Sequence, residues 1–231
     1  MITGIIFDKD GTLFDFRATW AGWTRRMLLE ATGGDRDRAQ ALGGAVGFDL
    51  SSENFAPDSP VIHDTPDIIA DVLLPFLPGV DRQALVARMV ASAADNAVVE
   101  AAPLVALMAE LRAPGRRLGV ATNDGEAAAR AHLRAAGVET AFDYVAGFDS
   151  GHGGKPAPGM LLAFCKAFGL DPGTVLMVGD SVHDLVAGQR AGMRRAAVLT
   201  GIATEADLSP HAEVVLPDIG HLPGWLAATG G

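Results

Sequence analysis

Short, mostly apolar runs alternate with longer amphipathic stretches over most of the chain. "ITGIIF" (2–7) has the length and content of a buried strand. "RLGVAT" (117–122) follows an amphipathic stretch at 103–113. "FDYVAG" (142–147) follows "GEAAARAHLRAAG", whose Ala, Leu and Arg content predicts a helix ended by Gly137. "TVLMVGD" (174–180) follows "APGMLLAFCKAFGL", which places Leu161, Phe164, Cys165 and Phe168 on one helical face. "RAAVLT" (195–200) follows "SVHDLVAGQRAGM", and "AEVVLP" (212–217) predicts an edge strand. Strands separated by helices imply an α/β fold: a Rossmann-like, doubly wound parallel sheet with helices on both faces.

Residues 16–97 break this rhythm. "WAGWTRRMLLEATGG" predicts a helix closed by glycines. "TPDIIADVLLPFL" offers Thr65 as a cap and Pro66 at the first helical position. "DRQALVARMVASAADNAV" continues the helical theme with Asp81 as its cap, whereas 44–64 is loop-like. The expected organisation is a core of residues 1–15 and 98–231 with an inserted helical domain at 16–97, a size usual for a small domain.

Ligands of open α/β sheets sit beyond the carboxyl ends of the strands, and there each run ends in polar residues. The first delivers Asp8 and Asp10, the second Thr122 and Asn123. "GGKPAP" carries Lys155 after the third, and "VLMVGDSVHD" delivers Asp180 and Asp184. Two carboxylates that close repel each other, so the first pair either faces water or performs chemistry. A strand period of two turns Asp8 and Asp10 to the same side and Lys9 away. Gly11 permits a tight bend directly after the acids.

Composition narrows the possibilities. The net charge of −10 and pI near 4.9 argue against a nucleic-acid binder. Three of the eighteen Lys and Arg are lysines, which makes Lys155 before Pro156 notable. A single cysteine, Cys165, excludes an intrachain disulfide and suits a reducing cytosol. The start "MITGIIFD" lacks the basic region and apolar length of a signal peptide. No apolar run approaches the ~20 residues that span a bilayer. A cytoplasmic protein without membrane contact, monomeric or weakly dimeric, is expected.

Asp8-x-Asp10-Gly11-Thr12, then Thr122, then Lys155-Pro156, then Gly179-Asp180 with Asp184, resemble in order and spacing the four motifs of the haloacid dehalogenase-like hydrolase superfamily. The match runs from residue 2 to about 201 and is best to phosphatases of the phosphoglycolate phosphatase type, which carry a small helical cap. The resemblance implies that Asp8 is a nucleophile forming an aspartyl-phosphate. It implies that Asp10 protonates the leaving alkoxide and then activates water. It also implies Mg²⁺ held by Asp8, the Asp10 carbonyl, Asp180 and Asp184, the last directly or through water. Thr122, Asn123 and Lys155 would bind the phosphate of a small phosphorylated metabolite, phosphoglycolate-like or a sugar phosphate. Lys9 occupies a position that is often apolar in these phosphatases.

The same residues have other possible uses. Asp180 and Asp184 can serve as a helix cap and a first-turn acid. Asn123 can be a strand-end residue that orients its loop, and Cys165, Trp20 and Trp23 read as core. The histidines are scattered, and His183 has no evident second ligand. A dehalogenase would lack Asp10, and a phosphonate-cleaving relative would need a lysine within 16–97, which holds none. A sugar-phosphate mutase on the same core, or a non-catalytic phosphometabolite-binding protein, are the alternatives. Substrate choice would fall to side chains such as Arg17, Arg25 and Arg26 and those of the 44–64 loop.

Overall fold

The computed structural model describes residues 1–113 and 115–230. The chain opens with β1 (Gly4–Phe7) and then leaves the sheet for α1 (Phe16–Ala31), α2 (Arg36–Ala45), a hairpin of β2 (Phe48–Asp49) and β3 (Asn54–Phe55), α3 (Pro60–His63), α4 (Pro66–Leu73) and α5 (Arg82–Ala94). It returns through α6 (Leu104–Arg112), β4 (Arg117–Ala121), α7 (Glu126–Ala135), β5 (Tyr144–Ala146), α8 (Gly159–Phe168), β6 (Val175–Gly179), α9 (Val182–Ala191), β7 (Arg194–Val198), α10 (Glu205–Leu208), β8 (Val214–Leu216) and α11 (Leu222–Ala228).

The six long-range strands form one parallel sheet in the order β5-β4-β1-β6-β7-β8. The α/β expectation holds, and β8 is the edge strand foreseen at 212–217. Burial of β1 is complete at all four residues, which is why it lacks alternation. One face of the sheet packs Phe7, Val120 and Val178 against α6, α7 and α11, and the other packs Ile6, Ala121 and Met177 against α8 and α9. Helix ends follow the chemistry of their flanks. Asp15 and Asp81 accept from the N–H groups of Ala18 and Ala84, and Gly169 and Gly192 close α8 and α9 in the left-handed conformation.

The helices of residues 16–94 build a hydrophobic cluster of their own around Phe16, Trp20, Leu28, Phe48, Leu73 and Met89. The 44–64 stretch is more ordered than expected. The hairpin stacks Phe48 on Phe55, with ring centroids 4.8 Å apart, and Ser59 caps α3. Chain leaving and re-entering the core runs side by side: Asp15 N–H donates to Val99 O (2.8 Å) and Ala101 N–H to Leu13 O (2.9 Å). No helix among the described residues is long and apolar enough to cross a membrane.

Candidate active site

Strand register gathers the acids. Phe7 stands beside Val120 on one side and Val178 on the other, so the residues just beyond, Asp8, Thr122 and Asp180, emerge together at one sheet edge. Asp8, Asp180 and Asp184 are 7%, 3% and 1% exposed, and one carboxylate oxygen of each lies within 4.8 Å of the others. Glycines make room for them. Gly11 has φ 82°, and a Cβ there or at Gly201 would run into the Asp180 carboxylate. Thr12 Oγ1 donates to Asp180 Oδ1 (3.3 Å), and Thr200 Oγ1 donates to the Gly11 carbonyl (2.6 Å).

Lys155 sits among these acids, its Nζ 2.5 Å from Asp8 Oδ1 and 2.6 Å from Asp184 Oδ1. Burial opposes its charge, but Asp184 and Asp8 outweigh that and hold the ammonium above its ordinary range. Burial likewise raises the Asp8 carboxyl to about 7, with Lys155 opposing the rise and Asp184 and Asp10 adding to it. Asp180 is pushed well upward by burial, then by Asp8 and Asp184. Three buried carboxylates thus share one ammonium, and the surplus negative charge on hard oxygen donors fits a cation such as Mg²⁺. Asp184 also closes a capping box at α9, its Oδ2 accepting from Ser181 N–H (3.0 Å) and Ser181 Oγ (2.7 Å). It therefore combines the structural and the site role.

The remaining expected residues divide. Thr122 is buried, and its Oγ1 accepts from Asp124 N–H (3.0 Å), leaving its own hydrogen free to donate. The Asn123 amide is committed elsewhere: it donates to Lys155 O (2.9 Å) and His63 O (2.7 Å) and accepts from Lys155 N–H (2.7 Å). It fixes the Lys155 loop and ties it to α3. Asp10 lines the same cavity but bonds to partners other than those of Asp8. Its Oδ1 accepts from Trp20 Nε1 (2.7 Å) and its Oδ2 meets Lys9 Nζ (2.6 Å).

Several participants were not foreseen. Lys9 does not turn away from both acids: β1 ends at Phe7, so the strand period does not carry through residues 8–10, and the fully buried Lys9 engages Asp10, Asp124 Oδ2 (3.2 Å) and His132 Nδ1 (3.0 Å). An ammonium only donates, so His132 accepts at Nδ1 and donates from Nε2 to Ala93 O (2.8 Å). A lysine at a position that is often apolar was the available signal. Trp20 and Trp23 are buried, as a core reading requires, yet both also line the cavity over the acids. His63 of α3 and His183 of α9, separated in sequence, stand with ring centroids 5.1 Å apart in the wall of that cavity. By contrast Arg17, Arg25 and Arg26 do not line it; they bond to Asn54, Glu53 and Asn96 at the surface.

Comparison with known proteins places this geometry. Residues 2–192 match the family model described as haloacid dehalogenase-like hydrolase. The chain is 35% identical over 232 residues to a phosphoglycolate phosphatase of Rhodospirillum rubrum, covering 98% of this chain and 91% of that one. It is 27% identical over 204 residues to an N-acetylmuramic acid 6-phosphate phosphatase of Pseudomonas putida, covering 87% and 84%. The fold superposes on a predicted phosphoglycolate phosphatase of Haemophilus somnus with a TM-score of 0.74 at 20% identity, over 99% and 98% of the two chains. With its acids at the carboxyl edge of a parallel sheet and the family model spanning most of its length, the chain belongs to the haloacid dehalogenase-like hydrolase family.

Proposed function

We propose that the chain is a Mg²⁺-dependent phosphatase that hydrolyses a small phosphomonoester through an aspartyl-phosphate on Asp8. The observation that carries this reading is the convergence of Asp8, Asp180 and Asp184 around Lys155. Asp8 attacks phosphorus in line and the ester oxygen departs. Lys155 and the Thr122 hydroxyl hold phosphoryl oxygens, an electrostatic positioning that dominates phosphoryl transfer. Asp10, held by Lys9 and Trp20, gives a proton to the leaving alkoxide and then takes one from the water that attacks the aspartyl-phosphate. Asp8, the Asp10 carbonyl, Asp180 and Asp184 would hold Mg²⁺, which offsets negative charge between carboxylates and phosphate.

Residues 16–97 serve in this reading as a cap that excludes water and shapes the pocket. Hydrogen bonds that tie this segment to the rest include Trp20 to Asp10, Asn123 to His63, His132 to Ala93 and Val99 N–H to Thr19 Oγ1. A relative named phosphoglycolate phosphatase and one that acts on a sugar phosphate both support a small phosphorylated substrate. Hydrolysis of 4-nitrophenyl phosphate with Mg²⁺ and its loss in EDTA test the reading. Full activity in metal-free buffer would overturn it.

A further inference from the structure

The wall of the cavity opposite the phosphate-handling residues differs sharply from them in chemistry. Phe16, Trp20, Trp23, Ile69 and Met89 form it, all buried and all from the cap segment. Lys155 is the one Lys or Arg among the described residues that line the cavity, and it is committed to Asp8 and Asp184. The other charged lining groups, beyond the acids of the metal cluster, are Asp10, Asp64 and Asp124. A leaving group bearing a carboxylate or a second phosphate would be desolvated against indole, phenyl and thioether surfaces, and Lys9, the ammonium over the Trp20 ring, is committed to Asp10 and Asp124.

The polar features of this wall include two imidazoles. His63 and His183 face each other across the junction of cap and core, and the Nδ1 of His183 is buried without a hydrogen-bond partner. Burial, with His183 adding, holds the His63 imidazole below its ordinary range and so favours its neutral form. Neutral imidazoles can exchange hydrogen bonds with a hydroxyl, carbonyl or amide.

Resting on the phosphatase reading above, we propose that this site takes phosphate esters of uncharged alcohols with an aromatic or aliphatic body, seated against Phe16, Trp20, Trp23, Ile69 and Met89, with a polar edge met by His63 and His183. An anionic alcohol such as glycolate is the disfavoured class.

The test compares kcat/KM of the full chain, with Mg²⁺, for benzyl phosphate and 2-phosphoglycolate, both of which release an alkoxide, alongside 4-nitrophenyl phosphate. Benzyl phosphate is expected to exceed 2-phosphoglycolate by about tenfold or more, the scale on which a pocket rejects a group it leaves unpaired. Equal or reversed preference overturns the proposal while leaving the phosphatase reading intact. No hydrolysis of any of the three overturns both. A cation placed in the half-buried part of the wall, Ile62→Arg, should shift the ratio toward 2-phosphoglycolate by about tenfold in a variant whose circular dichroism matches the wild type. Should that variant fail to fold, Val61→Lys repeats the measurement, and an unchanged ratio in a folded variant counts against the proposal.

Discussion

The Lys9 ammonium lies 2.6 Å from the carboxylate of Asp10, its neighbour in the chain, and has no exposure to solvent. Burial disfavours its charge, but Asp10 and Asp124 more than offset this and hold its pKa above the ordinary value. Removing one partner of a buried pair leaves the others uncompensated, at a cost of about 3–5 kcal/mol. Lys9→Met should therefore lower the unfolding free energy by about that amount and slow turnover, since Asp10 keeps only the Trp20 donor. Urea denaturation at pH 7.5 measures it. A loss below about 1 kcal/mol, the level of a surface pair, would mean that Lys9 contributes little.

Asp8→Asn should reduce turnover by a thousandfold on the order of other nucleophile removals, or more, because an amide cannot attack phosphorus. The fold should persist, since one of three crowded carboxylates becomes neutral while Lys155 keeps Asp184. Steady-state kinetics and circular dichroism on the same sample decide it, with mass spectrometry to exclude deamidation. Near wild-type turnover in an intact variant would remove Asp8 from the mechanism.

Trp20→Phe keeps an aromatic ring in the cluster but deletes the N–H that Asp10 accepts at 2.7 Å. Hydrogen bonds to charged groups contribute about 1.5–3 kcal/mol. A fall in kcat of about tenfold is expected for an alkyl ester, smaller for 4-nitrophenyl phosphate, whose leaving group has little need of a proton in the first step. Equal effects on the two esters in single-turnover phosphorylation would show that the indole acts on packing rather than on Asp10.

His132 supplies a pH dependence of stability. Burial, then the Lys9 charge, lower its pKa from the 6.5 of a free imidazole. In that window the unfolded chain binds a proton that the folded chain does not, so the native state loses stability as pH falls below about 6.5 and regains it above. His63, also lowered, acts in the same direction. Asp8, raised to about 7, and Asp180, raised well above its ordinary value, take up protons on folding and act in the opposite sense, so the His132 contribution is read by difference: relative to the wild type, His132→Asn should lower stability at pH 7.5 and lose less, or gain more, stability between pH 7.5 and 5.5. A variant whose midpoint follows pH in parallel with the wild type over this range would contradict the assignment.

The sequence by itself determined the alternation of strands and helices, the mainly helical stretch between β1 and β4, and the placing of the acids, Thr122 and Lys155 at the strand ends. These were legible because burial periodicity, helix caps and strand polarity are set within a few residues, and a parallel sheet places every strand end at one edge. Only the tertiary structure decided which partners the ambiguous residues would find. Lys9 reads as a charge on the wrong side of a strand until α7 brings His132 beside it, 123 residues along the chain. Trp20 and Trp23 read as core until α1 brings them to the cavity that the acids line, and His63 and His183 read as scattered until α3 meets α9. Arg17, Arg25 and Arg26 carry the right charge for a phosphate ester, yet α1 directs the first two to Asn54 and Glu53 of the 44–64 stretch and the third to Asn96 beyond α5. Contacts between segments so far apart depend on how whole elements pack, and no local pattern encodes that. The chemistry at the strand ends was therefore readable from spacing, whereas the apolar wall, with no free Lys or Arg among the described residues that line it, came from the way the helices between β1 and β4 pack at the sheet edge.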